Sequence, residues 1–197
     1  MKPKELNQIR ILLEKALTPK RYQHTLGVEY TAAALAMRYE IPLADAQLAG
    51  LLHDCEKCLP YEEKISLCEQ YQIPISETEL QNSELLHAKA GFVLAQTEYH
   101  ITDTDILNAI LYHTTGRPGM SLLEKIIFIA DYIEPGRKKA PNLQEVRKLA
   151  FINLDQALIQ IMSDTLTYLE SNEGIIDPMT RDSYLYYSNM EENKNEK

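Results

Sequence analysis

Apolar residues return every three or four positions along almost the whole chain. Leu26, Tyr30, Ala33, Ala34 and Met37 form one such stripe, and Leu122, Leu123, Ile126, Ile127 and Ile129 form another. This period matches the helical turn and not the two-residue alternation of a strand, so the pattern predicts an all-α chain. Breaks fall at Pro42, Pro60, Pro74, the Gly116 to Gly119 segment, the Pro135 to Pro141 segment and Gly174. Proline removes a helix donor and glycine ends a turn cheaply, and the breaks leave about eight helices joined by short loops. Between residues 61 and 83, Pro74 and the polar run SETELQNSE predict a helix followed by an irregular connector. The closing SNMEENKNEK has nothing to bury. A single domain over residues 1–186 with a disordered polar tail at 187–197 is therefore expected.

The chain's 197 residues suffice for one core and are short for two. Its opening MKPKELNQIRILLEKALTPK lacks the uninterrupted apolar stretch of a secretory signal, and the longest later run, around Ile126 to Ala130, is core-sized. A cytoplasmic protein without a membrane partner is expected. The net charge of -9 opposes nucleic acid as a partner. An anionic ligand binds only where metals or local cations reverse that field, and the candidates are Lys57, Arg117 and the run Arg137, Lys138, Lys139. Cys55 and Cys58 form a C-x-x-C, but Cys68 stands alone and no second ligand pair exists. These thiols read as packing or surface groups in preference to a zinc or redox site.

The candidate chemistry lies in an ordered set: His24, the pair His53 and Asp54, then His87, His113 and Asp131. Imidazole and carboxylate together suit divalent iron, manganese, zinc or nickel. His24 falls near the start of the helix that runs through Met37, and His53 and Asp54 close the helix that begins after Pro42. His87 opens HAKAGFVLAQTEY, His113 sits in the last turn of the helix from Asp103, and Asp131 follows LLEKIIFIA by one step. Helix ends facing a common centre make a pocket. Taken singly, each histidine reads better as a hydrogen-bonded core or surface residue. Taken together the reading reverses, because Asp54 and Asp131 sit beside apolar residues where an unpaired carboxylate is expensive. His100, in TEYHITDTD, has no partner in the pattern and is assigned to the surface.

Four stretches carry a resemblance: RYQHTLGV at 21–28, HDCEK at 53–57, ELLHAKAG at 84–91, and YHTTGRPGMSLLEKIIFIADYIEPGR at 112–137. The chain resembles the HD-domain phosphohydrolases, and most closely their branch that cleaves bis(5'-nucleosyl) tetraphosphates symmetrically. The resemblance implies an all-helical fold around two divalent metals, iron first, with manganese or another divalent ion as alternatives. His24, His53, Asp54 and Asp131 would hold one ion and His87 and His113 the other, with Asp54 bridging. Two ions about 3.5 to 4 Å apart can activate a shared water and clamp phosphate oxygens. Asp54 and Lys57 are then the catalytic candidates. Lys57, Arg21, Arg137 and the loop residues Thr115, Gly116 and Arg117 are the candidates for substrate phosphates. On spacing alone Lys57 equally fits a solvated lysine, and the loop equally fits a plain turn. Tyr22 and Tyr132 are weaker candidates for stacking on a base. Glu56 departs from the small residue usual at its position and is expected to face solvent. The implied reaction converts diadenosine tetraphosphate into two ADP, and a homodimer is compatible with it. The rival readings are a phosphohydrolase of mononucleotides or cyclic nucleotides, and a non-catalytic nucleotide sensor.

Overall fold

The computed structural model describes residues 3–195. Among them are eleven helices and no strand: α1 (Pro3–Ala16), α2 (Pro19–Tyr39), α3 (Leu43–Leu52), α4 (Tyr61–Gln70), α5 (Glu77–Gln81), α6 (Ser83–Thr97), α7 (Thr104–Leu111), α8 (Leu122–Ile133), α9 (Leu143–Leu149), α10 (Leu154–Ser171) and α11 (Pro178–Asn195). The number exceeds eight in part because α5 is a short piece in the stretch that reads as an irregular connector, and α9 is a further short helix of seven residues. Their ends follow local chemistry. Thr18 caps α2 by accepting from the Arg21 N–H, with Pro19 in the first turn, where no donor is missed. Ser121 and Glu124 form a reciprocal capping box that starts α8.

Helices α2, α3, α7 and α8 pack on one another at the centre, with α6 against α7 and α10 against α8. Leu35, Leu51, Leu52, Ile110, Ile126, Ile127 and Ile129 are fully buried between them. The approach of α3 to α2 is unusually close. A Cβ on Gly50 would lie 2.9 Å from the Glu29 Cα, so only glycine lets the backbones meet there. That contact brings the end of α3, with His53 and Asp54, up to His24 on α2. A satellite cluster of Cys68, Leu86 and Ala90 fastens α4 beneath α6.

The C-terminal helix differs from the expected tail. Helix α11 continues through Asn195, and Tyr187, the first residue of the expected tail, is 4% exposed. Its hydroxyl accepts from the Met120 N–H at 2.6 Å. A polar run can still present one anchoring stripe when most of its face is solvated.

Candidate metal centre

Six side chains from five elements converge as the sequence predicts, in two groups. His24, His53 and Asp131 form one and Asp54, His87 and His113 the other, each with its potential ligand atoms within 4.8 Å. We call these the outer and inner groups, because the Asp131 side chain is 24% exposed whereas none of the inner three exceeds 5%. In the outer group His24 Nε2 lies 3.0 Å from Asp131 Oδ1. In the inner group Asp54 Oδ1 lies 3.3 Å from His87 Nε2 and 3.7 Å from His113 Nε2. The second oxygen of Asp54, Oδ2, faces the outer group at 3.4 Å from His53 Nε2 and 3.8 Å from His24 Nε2. One carboxylate therefore addresses both groups.

Tautomers follow from the outward-facing nitrogens. His53 Nδ1 meets the Gly50 carbonyl and His113 Nδ1 the Ile110 carbonyl, both at 2.7 Å, and His87 Nδ1 meets the Glu84 carbonyl. A carbonyl only accepts, so these Nδ1 atoms carry the proton and each Nε2 turns a lone pair inward. His53 Nε2 and Asp54 Oδ1 are buried without a hydrogen-bond partner. His87 Nε2 and His113 Nε2 stand 2.9 Å apart, acceptor against acceptor. The Thr114 hydroxyl, 3.1 and 3.2 Å from those two nitrogens, can donate to only one of them. Convergent lone pairs and carboxylate oxygens in a buried space are the donor set of a divalent metal, and the residues fit one in each group.

Protonation preferences agree with this. Burial and then His113 hold His87 well below the ordinary imidazole value, and burial and His53 lower His113 to about 4. His53 is pulled down by its own burial, but the Asp54 and Asp131 charges outweigh this and raise it. For Asp54, burial pushes up, and the surrounding imidazoles, His53 foremost, carry it well below the carboxylate range.

The candidate cations divide. Arg21 Nη1 donates to Asp54 Oδ2 at 2.6 Å and Arg137 Nη2 to Asp131 Oδ1 at 2.7 Å. Both line a cleft of about 880 Å³ that opens beside His24 and is also walled by Lys20, Gly27 and Tyr30. Lys57 pairs with Glu84 at 3.0 Å, near the inner group. The loop after His113 is engaged in contacts of its own. Arg117 puts its fork on Glu124, at 2.7 and 2.8 Å, so its guanidinium fastens the start of α8. Gly116 has φ +66, and a Cβ there would strike Met162 at 2.7 Å, which gives that glycine a structural reason. Thr115 donates to the Gly116 carbonyl. None of Thr115, Gly116 and Arg117 lines the cleft.

Glu56 is a second correction. It is 1% exposed, not solvated, and lies 3.4 Å from Lys64 of α4. It tucks beneath α6, where a Cβ on Gly91 would rest 3.5 Å from its Cγ, and burial raises it to about 8 despite Lys64. Tyr132 donates to the Pro141 carbonyl and Tyr22 packs on the core, so neither lines the cleft, whereas Tyr30 does. Cys55 and Cys68 are buried free thiols and Cys58 is an exposed one. His100 is exposed. One site residue escaped the sequence reading: Glu134, which is 4% exposed and lies 3.1 Å from His24 Nδ1. The only cue to Glu134 was its position one helical turn past Asp131.

An all-helical frame carrying His and Asp ligands at helix ends defines a class. The HD domain model matches residues 21–136. Two bacterial proteins named "Bis(5'-nucleosyl)-tetraphosphatase, symmetrical" are similar over nearly the whole chain. The Bacillus subtilis protein is 43% identical over 89% of this chain and 92% of its own length. The Halalkalibacterium halodurans protein is 42% identical over 88% and 91%. A crystal structure from Clostridium acetobutylicum, described as a predicted HD superfamily hydrolase involved in NAD metabolism, superposes with a TM-score of 0.90. It is 42% identical and covers 93% of this chain and 97% of that one. The chain belongs to the HD domain family and, within it, to the family of the symmetrical bis(5'-nucleosyl)-tetraphosphatases.

Proposed function

We propose that the chain hydrolyses dinucleoside tetraphosphates symmetrically, diadenosine tetraphosphate foremost, releasing two ADP, with two divalent ions of which iron is the first candidate. The observation that carries this reading is the bridging posture of Asp54, with Oδ2 toward the outer group and Oδ1 toward the inner. The names of the relatives support the substrate class. His24, His53 and Asp131 would hold one ion, His87 and His113 the other, and Asp54 both. Such ions supply Lewis acidity and a nucleophilic water for in-line attack at phosphorus.

The chain's own side chains supply position and charge, which is most of what phosphoryl transfer asks of a protein. The imidazoles of His53, His87 and His113 keep their protons on Nδ1, so Nε2 stays free toward the centre. Arg21 and Arg137 sit where the cleft meets the outer group and bind the polyphosphate against the net negative charge of the chain. Lys57 offers a third cation on the inner side. The cleft takes one nucleoside half, with the Tyr30 ring on its wall. Product analysis with diadenosine tetraphosphate tests the reading. ADP as sole product supports it, whereas ATP with AMP, or an untouched dinucleotide in metal-loaded protein, overturns the substrate assignment.

A further inference from the structure

Three of the four site histidines are oriented in one way and the fourth in another. His53, His87 and His113 each face the backbone carbonyl three residues before them, those of Gly50, Glu84 and Ile110. His53 and His113 lie at or just beyond a helix end, and His87 is the fifth residue of α6. His24, the sixth residue of α2, instead has its Nδ1 on Glu134 Oε1, from the end of α8 and 110 positions away.

The structure is built to keep that carboxylate in place. Two glycines clear its seat: a Cβ on Gly27 would lie 2.5 Å from Glu134 Oε2, and one on Gly136 would lie 2.8 Å from it. The Gly136 N–H donates to Oε2, so each oxygen of Glu134 has its own donor. The Glu134 carbonyl is held by Arg147 Nη2 at 2.7 Å and by the Arg137 N–H at 3.0 Å. The same last turn of α8 supplies Asp131, whose Oδ1 lies 3.0 Å from the other nitrogen of His24.

We propose that Glu134 is a positioning residue that fixes the His24 ring and, by carrying charge where the other histidines have a neutral carbonyl, selectively strengthens metal binding by the outer group. A hydrogen bond to a carboxylate raises the basicity of the far nitrogen more than one to a carbonyl does. The inference rests on the metal-binding part of the proposed function alone and needs no substrate.

Two variants separate charge from fold. In Glu134→Gln the amide has one oxygen for two donors, His24 Nδ1 and the Gly136 N–H, and the charge is gone. In Gly27→Ala the carboxylate remains but the new Cβ displaces it, while alanine favours the helix. Manganese(II) titration of metal-free protein against a competing chelator, with melting temperature as the fold control, gives the readout. Both variants are expected to weaken one of two manganese sites by about 10- to 100-fold and to leave the other unchanged. If Glu134→Gln does not fold, Gly27→Ala decides. Two unchanged affinities in a folded variant, or two that fall equally, overturn the assignment.

Discussion

The outer and inner groups use the same residue types and differ in what surrounds them. The outer group borders the cleft and has Arg137 on Asp131, whereas the inner group is enclosed, with two imidazoles sharing the single oxygen Asp54 Oδ1. Carboxylates next to His53 raise it, while burial and a neighbouring imidazole lower His113 to about 4. Proton affinity at the two groups is thus set by the ratio of carboxylate to imidazole more than by depth, since His53 is as deeply buried as His113. The inner imidazoles stay neutral into mild acid. The outer group opens toward solvent beside the cleft.

The most severe way to break this comparison is to remove the residue common to both halves. Asp54→Ala should fold, lose both ions by elemental analysis and reduce hydrolysis to background; wild-type turnover without metal would refute the bridging role. A ligand confined to one half should act on that half. His113→Ala is expected to lower metal content from about two ions per chain to about one, read by the same analysis.

Acidity sharpens the contrast further. The depressed value of His113 means that the unfolded chain binds its proton first, so this histidine stabilises the metal-free fold above pH 6.5. That contribution, on the order of 3 kcal/mol from a shift of about 2.5 pH units, is lost as the pH falls toward 4. His87, also lowered, acts in the same direction. His53 acts oppositely: its raised value gives stability that is present below pH 6.5 and lost as the pH rises through its folded value. Melting temperatures of metal-free protein across pH 4 to 8 should therefore fall on the acid side, and His113→Gln should flatten that limb. An unchanged limb would remove the inner imidazoles from the account.

Smaller effects belong to the cleft. Arg137→Ala is expected to lower kcat/KM by about 10- to 100-fold, the worth of one charged hydrogen bond. Tyr30→Ala should raise KM by no more than about tenfold with kcat retained, as for one aromatic contact. A larger fall in kcat for Tyr30→Ala would place that ring at the reacting atoms instead.

What the sequence makes legible is local or periodic. The helices follow from the spacing of Leu, Ile and Ala, and the ligand set from residue types that are expensive beside apolar neighbours. The orienting carbonyls of Gly50, Glu84 and Ile110 come automatically with His53, His87 and His113, three residues on. Glu134 is illegible because its partner lies 110 positions away and only the packing of α2 on α8 joins them. The Arg117–Glu124 pair is hidden for a related reason: a guanidinium after a ligand histidine suits phosphate, and only the fold shows Glu124 in its fork. Glu56 was placed in solvent because Lys64 and the space beside Gly91 come from other helices. Just before the polar C-terminal run, the buried Tyr187 anchors the helix that carries it, through the Met120 N–H.

Anomalous diffraction from crystals of the protein loaded with manganese tests the central claim most directly. Two peaks about 3.5 to 4 Å apart, one beside each oxygen of Asp54, are the predicted result. A single peak, or two peaks with Asp54 touching only one, would contradict it.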